Sequence, residues 1–473
     1  MYGIKIDGVW ADMSPGQTVK LMRWNSLFDF DTVRGSLVND FTLPFSPIND
    51  KLFGWFREPG MKYPNKQYYC EKIADGYVIE RGFIELVDCT ETEYVVIFTQ
   101  NLSEIFGEYQ NVLMNKLPLG SSGFGSAQPP VIAANHLTDI LCWPTVANSA
   151  FYGTNVQAGW NGKMNEWVTS TSLNNHARVP MLFLRWVFER IGELCDFKFE
   201  GDFFESEVFK RAVVYNCFSL DDATTITYAN HLPEVTIPEL IKELRKLFNL
   251  AIYFNVNSRT MYAYFGNEIL TRPTVLNWTK KVVPSASRTP ERLNRIKLDW
   301  ELDQGDNVMK RVPLPTGFDF YQTPETQRGF VFEIVSKVST VAVEAGMATV
   351  EQIGASPRFN QGGAKFAPRI ALWNGVVGGV PTIAPTYGSW NIAWSGANNL
   401  KDKCYGNYEA FRKSTSSKVV LADLTALDLH QIDWHNNVNA HHSVFVKGKE
   451  YFVAAVETLL PLNGRSQVVL WEK

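Results

Sequence analysis

The sequence predicts an α+β protein that is mainly β, assembled from several β-barrel or sandwich modules with helix–hairpin insertions. Aromatic residues make up 13% of the 473 residues, and segments such as 83–98 alternate apolar and polar side chains. Such alternation is typical of half-buried strands. The stretch 236–265 adds one amphipathic helix that leads directly into two strand-like runs. Together these observations favour packed sheets with helices inserted between them.

The stretch 236–265 contains the clearest predicted helix. Thr236 and Glu239 have the spacing of a capping box, and Pro238 falls in the first turn, where proline is tolerated. Asn249 is a residue that can end the helix. Two strands are predicted to follow, joined by a turn at 256–259. The apolar face of the helix consists of Leu240, Ile241, Leu244, Leu247 and Phe248.

A similar opening occurs earlier, at 179–199. Val179-Pro180 begins an apolar helical pattern that ends in a short strand at 197–199. This unit and the one at 236–265 are either a divergent duplication or two unrelated helices that cover sheets. Both interpretations predict the same architecture.

The N-terminal residues predict a run of antiparallel strands. Asp7-Gly8 can form a turn, 17–24 alternates as a strand, and Gly82 indicates a bulge or bend. Prolines at 44 and 47 make the segment 35–55 an edge strand that runs into a loop. A short helix is expected at 402–412, and a tight turn at Lys447-Gly448-Lys449 between two C-terminal strands.

Composition limits the class of protein. A chain of this length is expected to hold about three or four domains. The formal net charge of −4 gives no sign of a nucleic-acid partner, which would require a concentrated positive field. No apolar run reaches the roughly 18 residues of a membrane span, and the first residues lack the pattern of a signal peptide. The six cysteines show no ligand spacing, so we expect free, partly buried thiols.

Strand patterns and loop composition divide the chain into five segments. The predicted segments are residues 1–118 as an N-terminal β domain, 119–177 as a linker and irregular aromatic-rich excursion, 178–285 as two helix-plus-hairpin units, 286–400 as a second β domain with long loops, and 401–473 as a short helix and C-terminal β module.

Candidate sites for chemistry are weak. Phosphate-binding, zinc-protease and nucleophile-elbow motifs are absent, and the glycine pairs at 362–363 and 378–379 have no following helix. His430, His435, His441 and His442 with Asp433 would suit zinc or iron if they converged, but their spacing favours a solvated loop. We therefore predict no catalytic residues, no cofactor-binding residues, no metal ligands and no enzymatic activity.

Two further groups of side chains leave alternatives open. The carboxylate pairs Glu85/Asp88 and Asp299/Glu301 could serve glycoside hydrolysis in a cleft, but such pairs on strands are usually solvent-facing charges. Five tryptophans could stack on sugars, although core or subunit contacts are favoured. These tryptophans are Trp143, Trp160, Trp167, Trp390 and Trp394.

Four stretches give the chain a family resemblance. They are KIDGVWADMSPGQTVKLMRWNSLFDFDTVRGSLVNDFTLPFSPINDKLFGW at 5–55, GYVIERGFIELVDCTETEYVVIFTQN at 76–101, CWPTVANSAFYG at 142–153 with the helix VPMLFLRWVFERIGELCDFKFEG at 179–201, and LADLTALDLHQIDWHNNV, SVFVKGKEYFVAAVETLLP and QVVLWE within 421–472. In pattern and order the chain resembles the tail or baseplate hub proteins of bacteriophages and prophages that infect Bacteroidota-type bacteria.

The resemblance implies a hub ring, in which tube-type β domains such as 1–118 extend the tail tube. Such hubs are trimers that are pseudo-hexameric, since each subunit supplies two similar tube-type domains. The implied partners are other copies of the chain, the distal tail or tube protein, the tape-measure protein, and the spike or fibre proteins. The implied location is the virion tail, assembled in the host cytoplasm. No fused lysozyme or peptidase signature is present.

Three functions follow as hypotheses. The first is a structural subunit of a phage tail tip that lets DNA pass. The second is a carbohydrate-binding or receptor-binding virion protein, suggested by the tryptophan-rich segment 353–400. The third is a polysaccharide hydrolase, suggested only by scattered carboxylates and aromatic residues.

Overall fold

The protein is mainly β, as the sequence predicts. The computed structural model describes residues 2–28, 30, 39–99, 105–126, 128–255, 257–284, 287–325, 328–355 and 366–473. Strands hold 37% of the chain and helices 18%, and the strands form several separate sheets. In the described part, no helix is both long and apolar enough to cross a membrane.

The helices are mostly short. They are α1 Pro47–Leu52, α2 Leu184–Cys195, α3 Asp202–Glu205, α4 Glu207–Arg211, α5 Ile237–Phe248, α6 Gly266–Ile269, α7 Gly406–Ser414 and α8 Ala426–Gln431, with a π-helical turn at Lys401–Tyr405 before α7.

The strands of the first half are β1 Tyr2–Ile6, β2 Val9–Trp10, β3 Val19–Trp24, β4 Asn39–Pro44, β5 Tyr68–Ala74, β6 Tyr77–Cys89, β7 Glu93–Thr99, β8 Ser121–Gly123, β9 Leu141–Cys142, β10 Val146–Ala147, β11 Lys163–Met164, β12 Trp167–Thr169, β13 Ser172–Leu173, β14 Met181–Leu182, β15 Lys198–Glu200, β16 Ala212–Val214 and β17 Thr225–Thr227. Those of the second half are β18 Leu250–Asn255, β19 Thr260–Phe265, β20 Leu276–Asn277, β21 Thr289–Pro290, β22 Arg295–Trp300, β23 Tyr321–Gln322, β24 Val331–Ser336, β25 Ala342–Glu344, β26 Met347–Thr349, β27 Ile370–Val377, β28 Val380–Ala384, β29 Thr386–Tyr387, β30 Trp390–Asn391, β31 Ser416–Ala422, β32 Ser443–Val446, β33 Lys449–Leu460 and β34 Ser466–Glu472.

Two large sheets lie towards the ends of the chain. The N-terminal sheet has the strand order β2-β1-β5-β6-β7-β4. The C-terminal sheet has the order β20-β32-β33-β34-β31-β21, and β3 also pairs with β33. Smaller sheets between them include β15-β19-β18, β16-β27-β28, β23-β22-β24 and β11-β10-β26-β25.

Strands that the sequence assigns to different segments pair with each other. Ser121–Gly123, inside the segment interpreted as a linker, pairs with Thr225–Thr227. Likewise β16 pairs with β27, and β3 pairs with β33 near the end of the chain. The division into five domains stays a prediction, but these contacts tie the predicted segments together.

Helix α5 confirms the prediction made from local signals. Thr236 and Glu239 form the capping box, and Asn249 ends the helix in the left-handed conformation with φ 51°. The hairpin β18–β19 follows directly, with Val256 outside the described residues. The predicted apolar face is buried, so the helix packs against the core along its whole length.

Helix α2 repeats part of that pattern. Both helices have 12 residues, and both end in a left-handed residue, Asp196 in α2 and Asn249 in α5. The strands that follow, β15 and β18, belong to the same three-stranded sheet. The N-cap of α2, Phe183, provides no side-chain hydrogen bond, and the duplication of the two helical units stays a prediction.

The segment 35–55 differs from its prediction. Residues 39–44 form the edge strand β4, but the loop expected after it is the helix α1. Ser46 accepts a hydrogen bond from the N–H of Asn49, and Pro47 occupies the first helical position. Pro47, which the sequence placed in a loop, therefore starts a helix. Residues 35–38 of this segment lie outside the described residues.

Among the described residues, the buried apolar side chains form three cores. One lies on the buried face of the N-terminal sheet around Ile84, Val96 and Phe98. A second surrounds β14, β16 and β27, and a third joins the helical units to the C-terminal sheet. All six cysteines are free thiols, and five of them are buried, as expected.

Candidate assembly interface: two matching sheets and their junction

The N-terminal and C-terminal sheets share one chain path. In the first, β4 is followed by α1 and then by the antiparallel meander β5-β6-β7, and β4 pairs with β7. In the second, β31 is followed by α8 and then by the antiparallel meander β32-β33-β34, and β31 pairs with β34. The order strand, helix, strand, strand, strand and the neighbours of each strand are the same. The chain therefore contains two copies of one supersecondary arrangement.

The details of the two meanders match as well. The turn β5–β6 is Asp75-Gly76, with φ 48° and 83°, and the turn β32–β33 is Lys447-Gly448, with φ 51° and 78°. Two successive residues with positive φ are typical of the tight hairpin turns that suit twisted strands. The long central strands β6 and β33 have 13 and 12 residues, and each has a bulge against its neighbour.

The two short helices α1 and α8 are also equivalent. Each has six residues, and each begins at a hydroxyl N-cap, Ser46 in α1 and Thr425 in α8. At the second helical position both carry a large apolar side chain that is exposed, Ile48 at 41% and Leu427 at 44%. The strands that lie beside the two meanders differ. Strand β1 is antiparallel to β5, whereas β20 is parallel to β32.

Arg23 on β3 joins the two sheets. Its guanidinium donates to the backbone carbonyls of Ile79 on β6 and Leu429 on α8, and it pairs with Asp433 at 3.4 Å. Both charged side chains are 5% exposed. A charge-assisted contact that is shielded from water holds its geometry better than an exposed one. The start of β6 and the end of α8 are therefore fixed relative to each other.

Strand β3 also lengthens the C-terminal sheet. It pairs with the second half of β33, from Val19↔Leu460 to Trp24↔Ala455, while β32 pairs with the first half. Asn25, directly after β3, donates its side-chain amide to the Val453 carbonyl at 3.1 Å. A segment from the N-terminal region thus covers a strand edge of the C-terminal sheet.

The histidine-rich segment takes part in this junction. His435 and His442 are 7% and 9% exposed and Asp433 is buried beside Arg23, so the interpretation of this segment as a solvated loop is wrong for these three residues. The Nδ1 atom of His435 accepts a hydrogen bond from the Phe254 N–H at 3.2 Å. Burial lowers the pKa of His435 to about 4 and that of His442 to about 3. Both imidazoles are neutral near pH 7.

The junction does not form a metal site. Across the described ranges, no group of three or more His, Cys, Asp or Glu side chains is placed to hold a metal ion. The hydrogen bond donated by Phe254 occupies one nitrogen of His435, and Asn25 lies 3.3 Å from Nδ1 of His442. The histidines fill polar positions between three segments of chain.

The tryptophans considered for sugar stacking pack against the cores of the protein. Trp143 and Trp394 are 3% and 1% exposed, and Trp394 packs against Trp300 with ring centroids 4.9 Å apart. Trp390 is half-buried and stacks on Phe265 at 5.7 Å. The remaining two, Trp160 and Trp167, are half-buried against the same cores. Core packing accounts for this group.

The other candidate residues also have structural surroundings. Glu85 and Glu301 are exposed, and Asp299 pairs with Lys297 at 2.8 Å. Gly378 and Gly379 have positive φ values and form the turn between β27 and β28. The pair at 362–363 lies outside the described residues.

A second buried polar centre was not predicted. Arg369 is 0% exposed and donates to Asp306 at 2.6 Å and to Asp303 at 2.7 Å. Burial alone would raise the pKa of Asp303, but the Arg369 charge and the N–H of Ala367 outweigh burial and lower it. Gln352 adds a further hydrogen bond to Asp303 at 2.9 Å. This network connects β27 with the loops that follow β22 and β26.

Sequence reasoning missed Arg23 and the sheet match because both depend on long-range contacts. One local signal for the match exists in the sequence. Asp75-Gly76 and Lys447-Gly448 each stand between two strand-like runs, and each follows a short segment with a Ser or Thr cap. Comparing those two segments, rather than the two longer helices, would have found the repeated unit.

No protein-family model matches the chain, and no curated protein matches it. Three solved structures share a low overall similarity over nearly the whole chain. The 43 kDa tail protein of prophage MuSo2 from Shewanella oneidensis has a TM-score of 0.40 and 9% identity, covering 100% of this chain and 98% of that one. A tail protein from Neisseria meningitidis MC58 has a TM-score of 0.37 and 7% identity, with coverages of 100% and 96%. Prophage tail protein gp18 from Listeria monocytogenes EGD-e has a TM-score of 0.36 and 7% identity, with coverages of 99% and 94%. TM-scores of this size do not establish a shared fold, so function is inferred below from the two sheets and the sequence.

Proposed function

We propose that this protein is a structural subunit of a phage tail tip. Three copies form a hub ring that joins the tail tube to the spike or fibres and lets DNA pass. The partners are further copies of the chain, the distal tail or tube protein, the tape-measure protein and the spike or fibre proteins. The host is a Bacteroidota-type bacterium, and the subunit assembles in its cytoplasm before entering the virion tail.

The matching sheets are the observation that carries this proposal. A trimer of a chain with two equivalent sheets presents six similar modules around one axis. The sequence resemblance to hub proteins implies that number, because hubs of this kind are pseudo-hexameric trimers. A repeated module suits a subunit that acts through shape and contact area.

The edges of the N-terminal sheet also favour assembly. Among the described residues this sheet ends at β2 on one side and at β4 on the other. In the C-terminal sheet, β21 pairs with the outer edge of β31, whereas no described strand pairs with the outer edge of β4, the strand equivalent to β31. Open strand edges tend to pair with other chains unless they are protected, and closed rings protect them.

Receptor binding through sugar stacking has less support. That hypothesis depended on the tryptophans of 353–400, of which Trp373 and Trp394 are buried in the cores and Trp390 packs on Phe265. Aromatic rings that bind sugars need an accessible face.

The experiment is the mass and shape of the purified protein. Light scattering is expected to give three times the chain mass of 53.6 kDa, and negative-stain micrographs are expected to show rings with six lobes. A chain that stays monomeric at all concentrations, without rings, would refute the proposal.

A further inference from the structure

Strand β15 lies at an open edge of its sheet. It pairs in parallel with β19 on one side, and among the described residues no strand pairs with its other side. Lys198 donates its backbone N–H to the Arg259 carbonyl at 2.8 Å, so the backbone groups of Lys198 face β19. Successive residues of a strand direct these groups to opposite sides, so those of Phe199 point outwards. The edge of β15 is therefore free to bind one more strand.

A groove with an aromatic floor accompanies this edge. It has a volume of about 760 Å³, and its lining includes all of β15 together with residues of helices α2, α3 and α4. The ring of Phe199 is half-buried in it, with its centroid 5.0 Å from that of Phe188 and 5.5 Å from that of Phe204. An incoming strand would find both backbone partners and an apolar contact for its side chains here.

The sequence of β15, Lys-Phe-Glu, is complementary to itself. Lys198 and Glu200 are exposed and point to the face opposite Phe199. Neither side chain forms an ion pair with another described residue. When two such strands pair antiparallel with Phe199 facing Phe199, each lysine lies directly opposite the glutamate of the other strand. Opposite charges at facing positions stabilise antiparallel strands, whereas like charges destabilise them.

We propose that β15 is a self-association site, at which the β15 strands of two copies of this chain pair antiparallel around a twofold axis. The two Phe199 residues exchange backbone hydrogen bonds, and each ring packs in the groove of the other copy. A twofold contact requires one surface that is complementary to itself, and the Lys-Phe-Glu sequence meets this requirement. The sheets β15-β19-β18 of the two copies then become one continuous sheet.

The inference goes beyond the proposed function and does not depend on it, because the contact uses neither of the two matching sheets. It is a small contact, since β15 has only three residues. Association is therefore expected to depend on concentration. The mass is expected to double as the concentration rises, whether the unit that doubles is a single chain or a ring.

A charge reversal and its compensation test the pairing. K198E places like charges opposite each other on both sides of the axis and is expected to weaken the association about tenfold. The double variant K198E/E200K restores opposite charges, so the association is expected to recover. The matched control is K163E, because Lys163 is an exposed lysine on β11, another short edge strand. The measurement is the dissociation constant from concentration-dependent light scattering.

A disulfide tests the register. Facing residues that do not bond each other through the backbone have Cα atoms about 4.5 Å apart, which is within the range of a disulfide. Lys198 of one copy and Glu200 of the other are such a pair. A mixture of K198C and E200C chains is therefore expected to form disulfide-linked dimers on oxidation, while each variant alone forms few. The control is a mixture of K163C and E200C, which should form no more dimers than E200C alone.

The outcomes separate this inference from the proposed function. A doubling of mass that is lost in K198E and regained in K198E/E200K supports the β15 contact, even if no rings form and the hub function fails. Rings without any doubling, or a doubling that K198E leaves unchanged, overturn the β15 contact and leave the hub function standing. Disulfides that form as readily in the single variants as in the mixture overturn the antiparallel register.

Discussion

Arg23 and Asp433 form an ion pair at 3.4 Å between the first and the last part of the chain, and both side chains are 5% exposed. Asn436 donates its amide to both carboxylate oxygens of Asp433, at 3.2 and 3.1 Å. Removing one partner of a buried ion pair strongly destabilises a protein, because the other charge is left buried without compensation. The junction between the sheets therefore depends on both residues.

Replacing Arg23 with alanine is expected to lower the free energy of unfolding by about 3–5 kcal/mol. The change leaves the Asp433 carboxylate buried and removes the donor from the carbonyls of Ile79 and Leu429. The measurement is urea unfolding followed by circular dichroism.

Lys20 on the same strand provides the matched control for Arg23. It pairs with Glu457 at 2.7 Å, but the two side chains are 43% and 42% exposed. Exposed ion pairs contribute roughly 0–1 kcal/mol to stability, so the free energy of unfolding of K20A is expected to lie within about 1 kcal/mol of the wild-type value. Equal effects of R23A and K20A would show that the junction does not stabilise the fold.

The apolar face of α5 gives a second prediction. Leu244 is 1% exposed, and an aspartate there would bury an unpaired charge. L244D is expected to be insoluble on expression, while L244A should fold with a loss of about 2–5 kcal/mol. Lys242 is half-buried on the opposite face, so K242D is the control. Soluble L244D with an unchanged melting temperature would contradict the burial of this face.

The helix α5 was predictable because its signals are local. The cap, the spacing of apolar residues and the terminating Asn249 all lie within about 14 residues, and each has a direct physical consequence. The β5–β6 and β32–β33 turns are local in the same sense. The mainly β fold and the free cysteines were predicted correctly for a similar reason, since the alternation of side chains and the spacing of cysteines can be read directly from the sequence.

The candidate interface was not predictable in this way. The pairing of β3 with β33 joins residues at opposite ends of the chain, and alternation identifies a strand without identifying its partner. His435 was misread because its environment is supplied by β18 and Arg23, which are distant in sequence. A polar sequence that contacts three elements cannot be distinguished from a solvated loop by its composition.

The guanidinium of Arg369 gives a third prediction, about geometry rather than charge. It contacts Asp303 and Asp306 through different nitrogens, which a lysine ammonium cannot reproduce in the same positions. R369K is expected to lose about 2–4 kcal/mol, although the charge is kept. The exposed Arg465, which pairs with Asp423 at 3.3 Å, supplies the control R465K, with an expected loss below about 1 kcal/mol. Thermal unfolding distinguishes these values; a wild-type melting temperature for R369K would contradict the role of the two-point contact.

The buried histidines give the last prediction, a loss of stability in mild acid. Burial lowers the pKa of His435 to about 4 from an ordinary value of 6.5. Below pH 6.5 the unfolded chain therefore binds a proton that the folded chain does not, and stability falls as the pH falls from 6.5 towards 4. At pH 5 this histidine alone accounts for about 2 kcal/mol.

Variant H435Q tests the assignment of that loss. A glutamine carbonyl can accept the Phe254 N–H in place of Nδ1, but it does not titrate. The difference in unfolding free energy between pH 7 and pH 5 is therefore expected to shrink by about 2 kcal/mol in H435Q. In H176Q, where a half-buried histidine outside the junction is replaced, the difference should stay as in the wild type. An equal pH dependence in wild type and H435Q would mean that the folded protein protonates His435 as readily as the unfolded chain does. At pH 5 Nδ1 would then carry a proton and could not accept the hydrogen bond from Phe254.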